Sequence, residues 1–320
     1  MTAETPTPAL PMAGSMRRRL GDRALQGLAL LAVLGLALLM LLLIYYVGRE
    51  AAPAMRKFGL SFLTSSTWNA VTDKFGALDL IWGTLATSLF ALVIAVPIAI
   101  AIALFLTELA PRVLRTPVGM MVELLAAIPS VVLGLWGIVV MGPFLNDHVE
   151  PWMINHLGFI PFFDGYPSPV GLLPACLVLA VMVVPIVASI SRELFSSVPG
   201  DLKGGALALG ATRWEMVRQV MIPQVTGGLA AGVMLGFARA VGEAIAVTQV
   251  IGGSLVRPPN IYSPADTMAG RLAAQYAGAA TSLQKASLAY LAVILLVISL
   301  ITNLVAQLIV RRMQRRLGVR

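Results

Sequence analysis

Chemically active side chains in apolar settings are few in this chain, and they fall at three places. Arg239 and Glu243 stand four residues apart in GFARAVGEAIAVTQVIGG, residues 236–253. On one continuous helix that spacing sets both on one face and allows an ion pair, although Arg before Glu is the poorer order for such a pair. A guanidinium fork also matches a tetrahedral oxyanion, which it holds through charge-assisted hydrogen bonds. Pro129 and Ser130 interrupt LLAAIPSVVLGLWG, residues 124–137. A proline there removes a backbone hydrogen bond, giving either a simple kink or a broken helix whose freed amides can face an anion. The third place is polar: GALALGATRWEMVRQVMIP, residues 205–223, in which Leu207, Leu209, Ala211, Trp214 and Val217 are spaced for a short helical piece with a turn at Gly210. Such a piece suits a groove on a partner, or a bilayer surface with Trp214 as anchor.

Other chemistry is thinly provided for. No G-x-x-x-x-G-K-[ST] loop, H-E-x-x-H or G-x-S-x-G occurs, so neither nucleotide hydrolysis nor hydrolase chemistry has a motif here. A membrane phosphotransferase would need a nucleophile and a base within reach, and the apolar runs hold no His, Asp or Lys. His148 and His156 lie near Asp147 and Glu150 in a segment read as an outer loop, without a metal-ligand spacing. Cys176 is the single cysteine and reads as a packing residue in an apolar run.

The elements that must position these residues are set by composition. Of 320 residues 58% are hydrophobic and 12% charged, which excludes an ordinary soluble globule and makes lipid the main solvent. Roughly 20 apolar residues cross the ~30 Å hydrocarbon core. Runs at 24–47, 80–106, 118–141, 170–190, 225–251 and 286–310 meet that length, the first being too long for a cleavable signal. The fold class is therefore an all-α integral membrane protein of six transmembrane helices. Arg17, Arg18 and Arg19 before the first run, and Arg311, Arg312, Arg315, Arg316 and Arg320 after the last, put both termini in the cytoplasm. The formal charge of +8 is then a topology signal rather than a sign of nucleic acid as partner. Segment 142–169 faces outward and segment 191–223 inward. Arg239 lies 16 residues beyond Pro223, ~24 Å along a helix and so near the bilayer centre, where a cation costs ~2.5 to 3.5 kcal/mol and marks a functional site by default. Glu123, nearer the inner end of its run, reads as structural.

The wording of the motifs adds a family. Residues 205–223 resemble the coupling loop of ABC importer permeases, with Gly210 as its glycine and Val220, Ile222 and Pro223 as its close. Gly204, Gly205 and Ala206 stand where Glu-Ala-Ala is usual, so the family's acidic contact is not carried over; Glu193 and Glu215 are the neighbouring carboxylates. Residues 124–137 and 236–253 resemble the phosphate importer permeases, and the likeness extends over about 80–310. The resemblance implies a type I ABC importer permease-like fold with a cytoplasmic coupling helix. It divides the chain into a cytoplasmic tail (1–23), a first transmembrane helix (24–48), an external loop (49–79), the permease domain (80–310, coupling loop 199–223) and a basic cytoplasmic tail (311–320).

It further implies a non-catalytic subunit of the bacterial inner membrane. The partners would be a second permease, an ATPase dimer, an external phosphate-binding protein, inorganic phosphate and membrane lipid. This chain would bind no cofactor, ATP and Mg being held by the ATPase. Arg239, Glu243, Ser130 and Pro129 would line the substrate path; Ala206, Gly210, Trp214, Glu215 and Pro223 would serve ATPase coupling. Alternatives within the class are the partner permease of the same importer or a sulfate or molybdate permease. A different class is an ion-gradient-driven anion transporter or channel. The topology is testable: with Cys176→Ala as background, Asn155→Cys should react with an impermeant thiol reagent added to intact cells that lack an outer barrier. Labelling only after lysis would invert the orientation.

Overall fold

The computed structural model describes residues 15–316. In chain order its elements are α1 (Ser15–Phe58), α2 (Ser61–Thr64), the antiparallel pair β1 (Trp68–Asn69) and β2 (Lys74–Phe75), α3 (Leu78–Leu104), α4 (Arg112–Ala127), α5 (Ser130–Trp136), α6 (Gly142–Phe144), α7 (Glu150–Leu157), α8 (Leu172–Ser196), α9 (Gly200–Ala208), α10 (Arg213–Met216), α11 (Ile222–Gly242), α12 (Ile245–Val250), α13 (Met268–Gln275) and α14 (Ser282–Arg316). Residues 1–14 of the expected tail, and Arg320 of the closing cluster, lie outside the described residues.

Among the described residues four stretches wind as π-helix: Phe105–Leu109, Gly137–Met141, Leu145–Val149 and Val217–Met221. Each ends two residues before a proline, at Pro111, Pro143, Pro151 and Pro223. Proline lacks an N–H and its ring meets the carbonyl four residues back; a π turn moves that carbonyl to a partner five residues on, so the helix survives Pro143, Pro151 and Pro223, whereas at Pro111 the run ends at Leu109 and α4 begins. Helical runs longer than the α segments result. Among the described residues six are long and apolar enough to cross a membrane: Leu25–Phe58, Leu78–Leu109, Ser130–Leu157, Leu172–Ser196, Arg213–Gly242 and Ser282–Arg312.

The count of six agrees with the sequence, but two of the runs do not. The expected third span, 118–141, is two helices: α4 stops at Ala127, Ile128 and Pro129 are extended, and a new run begins at Ser130 and continues to Leu157. The expected outer loop from 142 is thus helical for its first half, carried past Pro143 and Pro151 by the π turns. The expected fifth span, 225–251, is broken as well, because Glu243 turns extended between α11 and α12.

The chain divides into two compact units at Arg49 and Glu50. In the first, α1 exposes every large apolar side chain from Leu25 to Tyr46, a surface that only lipid or another membrane protein can cover. In the second, α3 and α8 form the central pair. Ala91, Ala95, Ala99 and Ala103 repeat every fourth residue along α3 and are all buried, and Ala175, Cys176, Leu179, Val183 and Val187 of α8 are buried in turn. Small residues at this spacing let membrane helices approach closely, which lipid-exposed apolar bulk cannot do. The buried hydroxyls of Thr84, Thr87 and Ser88 donate to the carbonyls of Leu80, Gly83 and Thr84 one turn back, so none is left unpaired.

Residues 252–267 fold back over the end of α3. The Ala265 N–H donates to the Ile251 carbonyl at 2.9 Å and the Met268 N–H to Thr84 Oγ1 at 2.9 Å. Asp266 and Arg271, both buried, pair directly, and Arg271 also donates to the Gly253 carbonyl at 3.0 Å. Burial pushes the Asp266 carboxyl above the usual carboxylate range, against the opposing pull of Arg271 and of the Thr267 N–H. This pair fixes the fold-back.

Candidate functional site

The two helix breaks meet. α5 and α12, the short helices that begin after Pro129 and after Ala244, pack on each other, and Gly134 makes the contact possible. A Cβ at Gly134 would lie 2.8 Å from the Ala246 Cα and against the Gln249 side chain. Backbone approach this close needs glycine. Pro129 caps α5: its carbonyl accepts from the Val132 and Leu133 N–H groups at 3.0 and 3.3 Å. The proline therefore starts a helix rather than kinking one.

Arg239 stands where both breaks open. It lines a cavity of about 160 Å³ with Leu125, Ala126, Ile128, Leu133, Met182 and Ile186, which borders the first break. It also lines a cavity of about 490 Å³ with Ile186, Leu235, Ala238, Gly242 and Glu243, which borders the second. The side chain is exposed on the open face of α11 and makes no ion pair among the described residues.

The expected ion pair between Arg239 and Glu243 is not formed. α11 ends at Gly242 and Glu243 takes φ −71° and ψ 124°, so the two no longer share a helical face. Glu243 Oε1 instead accepts from the Ala246 N–H at 3.4 Å, at the start of α12. Ser130 is half-buried and Pro129 exposed at the α5 cap, and it is Ile128, one residue earlier, that lines the smaller cavity. Gln249, which sequence reading missed, has a buried Oε1 without a hydrogen-bond partner on the protein. Its signal was an amide in an apolar run six residues past Glu243. Glu123 reaches Arg192 at 3.7 Å, in keeping with a structural role.

At the other end of α11 the expected short helix and turn are present. α9 closes at Gly210, whose φ of +87° is the left-handed conformation glycine reaches without strain. The Gly210 N–H donates to the Leu207 carbonyl at 3.0 Å and the Ala211 N–H to the Ala206 carbonyl at 3.1 Å, the double closure that satisfies a helix C-terminus. Thr212 then caps the next helix: its N–H and hydroxyl both donate to Glu215 Oε2 at 2.8 Å, and its Oγ1 accepts from the Glu215 N–H at 3.3 Å. Glu215 is thus engaged within its own turn. Ala206 packs against the buried cluster that includes Phe195, Met216, Val217 and Met221, while Trp214 and Leu209 stand 63% and 90% exposed. Pro223 lies in the first turn of α11.

Two contacts that sequence reading did not find hold this segment. Lys203 Nζ pairs with Glu108 Oε1 at 2.7 Å and donates to the Phe195 carbonyl at 3.2 Å; Arg213 donates to the Glu108 carbonyl at 3.3 Å. α9 is thereby tied to the ends of two membrane helices. His148 and His156 sit on a helix, not a loop, each stacked on the aromatic ring one turn back, Phe144 and Trp152. Their Nδ1 atoms face the carbonyls of those same residues at 3.3 and 2.8 Å.

Fold and geometry together define a polytopic membrane subunit with an exposed short helix at one end and a broken-helix cleft inside. Solved importer permeases share the fold: a chain of a bacterial alginate ABC transporter aligns over 91% of this chain and 97% of its own at TM-score 0.59 and 18% identity. A chain of the MetNI methionine ABC transporter aligns over 73% and 94% at TM-score 0.51 and 20% identity. Residues 95–315 match the family described as binding-protein-dependent transport system inner membrane component, and the chain belongs to that family. Curated relatives named phosphate transport system permease protein PstC include one of Haemophilus influenzae, 45% identical over 84% of this chain and 86% of that protein. One of Xylella fastidiosa is 42% identical over 83% and 81%. A probable PstC of Methanocaldococcus jannaschii is 32% identical over 83% and 85%.

The turn yields a prediction. A β-branched residue at Gly210 resists φ above zero by ~1 to 2 kcal/mol, whereas asparagine tolerates it better. Gly210→Val should make the 206–215 segment cleave faster in limited proteolysis, and Gly210→Asn should leave the rate near parental.

Proposed function

We propose that this chain is a transmembrane permease subunit of an ATP-driven phosphate importer, with Arg239 as the point where the anion pauses. The observation that carries the substrate is the identity of 45% to a protein named as a phosphate permease, over 84% of the chain. Arg239 carries the mechanism, because one guanidinium borders both helix breaks. A guanidinium fork suits a tetrahedral oxyanion, which it holds through charge-assisted hydrogen bonds. Glu243 is occupied with the Ala246 N–H, which leaves the fork free for a ligand. Release requires that the hold be weak, and an exposed side chain on an open face supplies that.

The chain itself does no chemistry on this reading; it moves phosphate while a separate ATPase dimer hydrolyses ATP. α9 and the exposed Trp214 and Leu209 would seat on the ATPases at the cytoplasmic face, a second permease would cover the open face of α11, and an external binding protein would deliver phosphate. Both termini would lie in the cytoplasm of a bacterial cell. The helix that leaves the coupling segment is the one that carries Arg239: Arg213–Gly242 is a single run. A push on α9 therefore travels along one stiff rod to the second break, where Glu243 absorbs the change in direction.

The test compares the anion role with simple charge neutralisation. Arg239→Gln together with Glu243→Gln removes both charges, so a structural pair would be largely restored by the double change. On the anion reading the double variant assembles in normal amount, and ATP-driven uptake of labelled phosphate in vesicles with an uncoupler present falls ~10- to 100-fold, the worth of a hydrogen bond to a charged group. Arg239→Lys, which keeps charge and loses the fork, should fall between. Near-parental uptake by the double variant would remove the binding role. Uptake abolished by uncoupler in the parent would instead favour an ion-gradient transporter.

A further inference from the structure

Leu235, one turn before Arg239, belongs to two cavities. On its other side it joins Ala231 and Met234 of α11 to Asn303, Gln307, Val310 and Arg311 of α14 around a space of about 410 Å³. Asn303, Gln307 and Arg311 recur every fourth residue and so share one face of α14. Beside them Leu300, Ile301, Leu304, Val305 and Leu308 are apolar and exposed. Neither amide side chain has a hydrogen-bond partner among the described residues. An unpaired primary amide in hydrocarbon costs several kcal/mol, so a stripe of them marks a place that water or a polar ligand reaches.

We propose that Asn303, Gln307 and Arg311 form the inner half of the phosphate route, a ladder of two amides and a cation that carries the phosphoryl oxyanion from Arg239 to the end of α14. The proposal rests on the Arg239 reading and extends it. Amide N–H₂ groups donate to phosphate oxygens without the grip of a full charge, and the exposed Arg311 and Arg312 hold the anion concentration high at the mouth. A phospholipid phosphate has the same chemistry. Depth argues against it: Asn303 lies eight residues before Arg311, ~12 Å further along the helix, so one headgroup at Arg311 leaves Asn303 among acyl chains.

The experiment uses the whole importer, reconstituted in vesicles of phosphatidylcholine alone and with added phosphatidylglycerol. Asn303→Leu with Gln307→Leu should lower ATP-driven phosphate uptake about tenfold in both compositions, with the ATPase subunits retained. Parental uptake, or a loss confined to phosphatidylglycerol vesicles, would overturn the route; the second would assign the stripe to lipid. A second readout does not depend on transport. In a Cys176→Ala background, Asn303→Cys should react with a charged methanethiosulfonate added on the α9 side, phosphate should slow the reaction, and Leu304→Cys should stay unreactive. No reaction at position 303, or reaction indifferent to phosphate, would overturn the proposal. Phosphate protection there alongside parental uptake by the Arg239 and Glu243 double variant would remove the Arg239 reading and leave the inner route standing.

Discussion

In hydrocarbon a backbone N–H or C=O has no water to turn to, so a helix can be broken at membrane depth only where protein or a wet cavity receives the freed groups. This chain breaks two of its membrane runs, at Ile128–Pro129 and at Glu243. Nearly everything else in the larger unit serves to make those breaks tolerable. The small-residue seam of α3 and α8 brings the supporting helices close. Gly134 lets α5 lie against α12. Glu243 supplies one acceptor to an otherwise free N–H of α12. What remains open is the space in front of Arg239.

The same constraint explains the π turns. Prolines in membrane helices threaten the hydrogen-bond ladder, and at Pro143, Pro151 and Pro223 the ladder shifts by one residue and continues. At Pro129 it does not, and a new helix begins. The difference has a functional sense on the proposed reading: the rods that must transmit force, above all Arg213–Gly242, stay whole, and Pro129, where a new rod begins, stands beside the cleft. Lys203 and Glu108 complete the linkage by tying α9 to the end of the second membrane run.

Run length and charge made six helices and the Gly210 turn legible, because both depend on local composition and on a conformation only glycine takes easily. The breaks were not legible. Residues 118–141 are apolar enough to read as one span, and a kink and a full break at Pro129 leave the same trace in composition. The continuation to Leu157 was hidden for the opposite reason: Pro143, Asp147, His148 and Pro151 read as loop, because a proline that a π turn carries and one that ends a helix look alike in sequence. Arg239 could be singled out from its depth alone. Its separation from Glu243 could not, since that rests on where α11 ends. Partners distant in sequence, such as Glu108 with Lys203 and Gly134 with Gln249, depend on tertiary packing that periodicity does not encode.

The central claim is that phosphate rests against the Arg239 guanidinium between the two breaks. It is tested most directly by ³¹P–¹⁵N dipolar dephasing in the membrane-embedded importer, with ¹⁵N-arginine and phosphate trapped during turnover. A charge-assisted contact of ~2.7 to 2.9 Å from N to O puts phosphorus within ~4 Å of a guanidinium nitrogen. Strong dephasing that disappears in Arg239→Lys is the expected result. Dephasing that persists unchanged in Arg239→Lys, or none at all with phosphate present in the membrane fraction, would contradict the account.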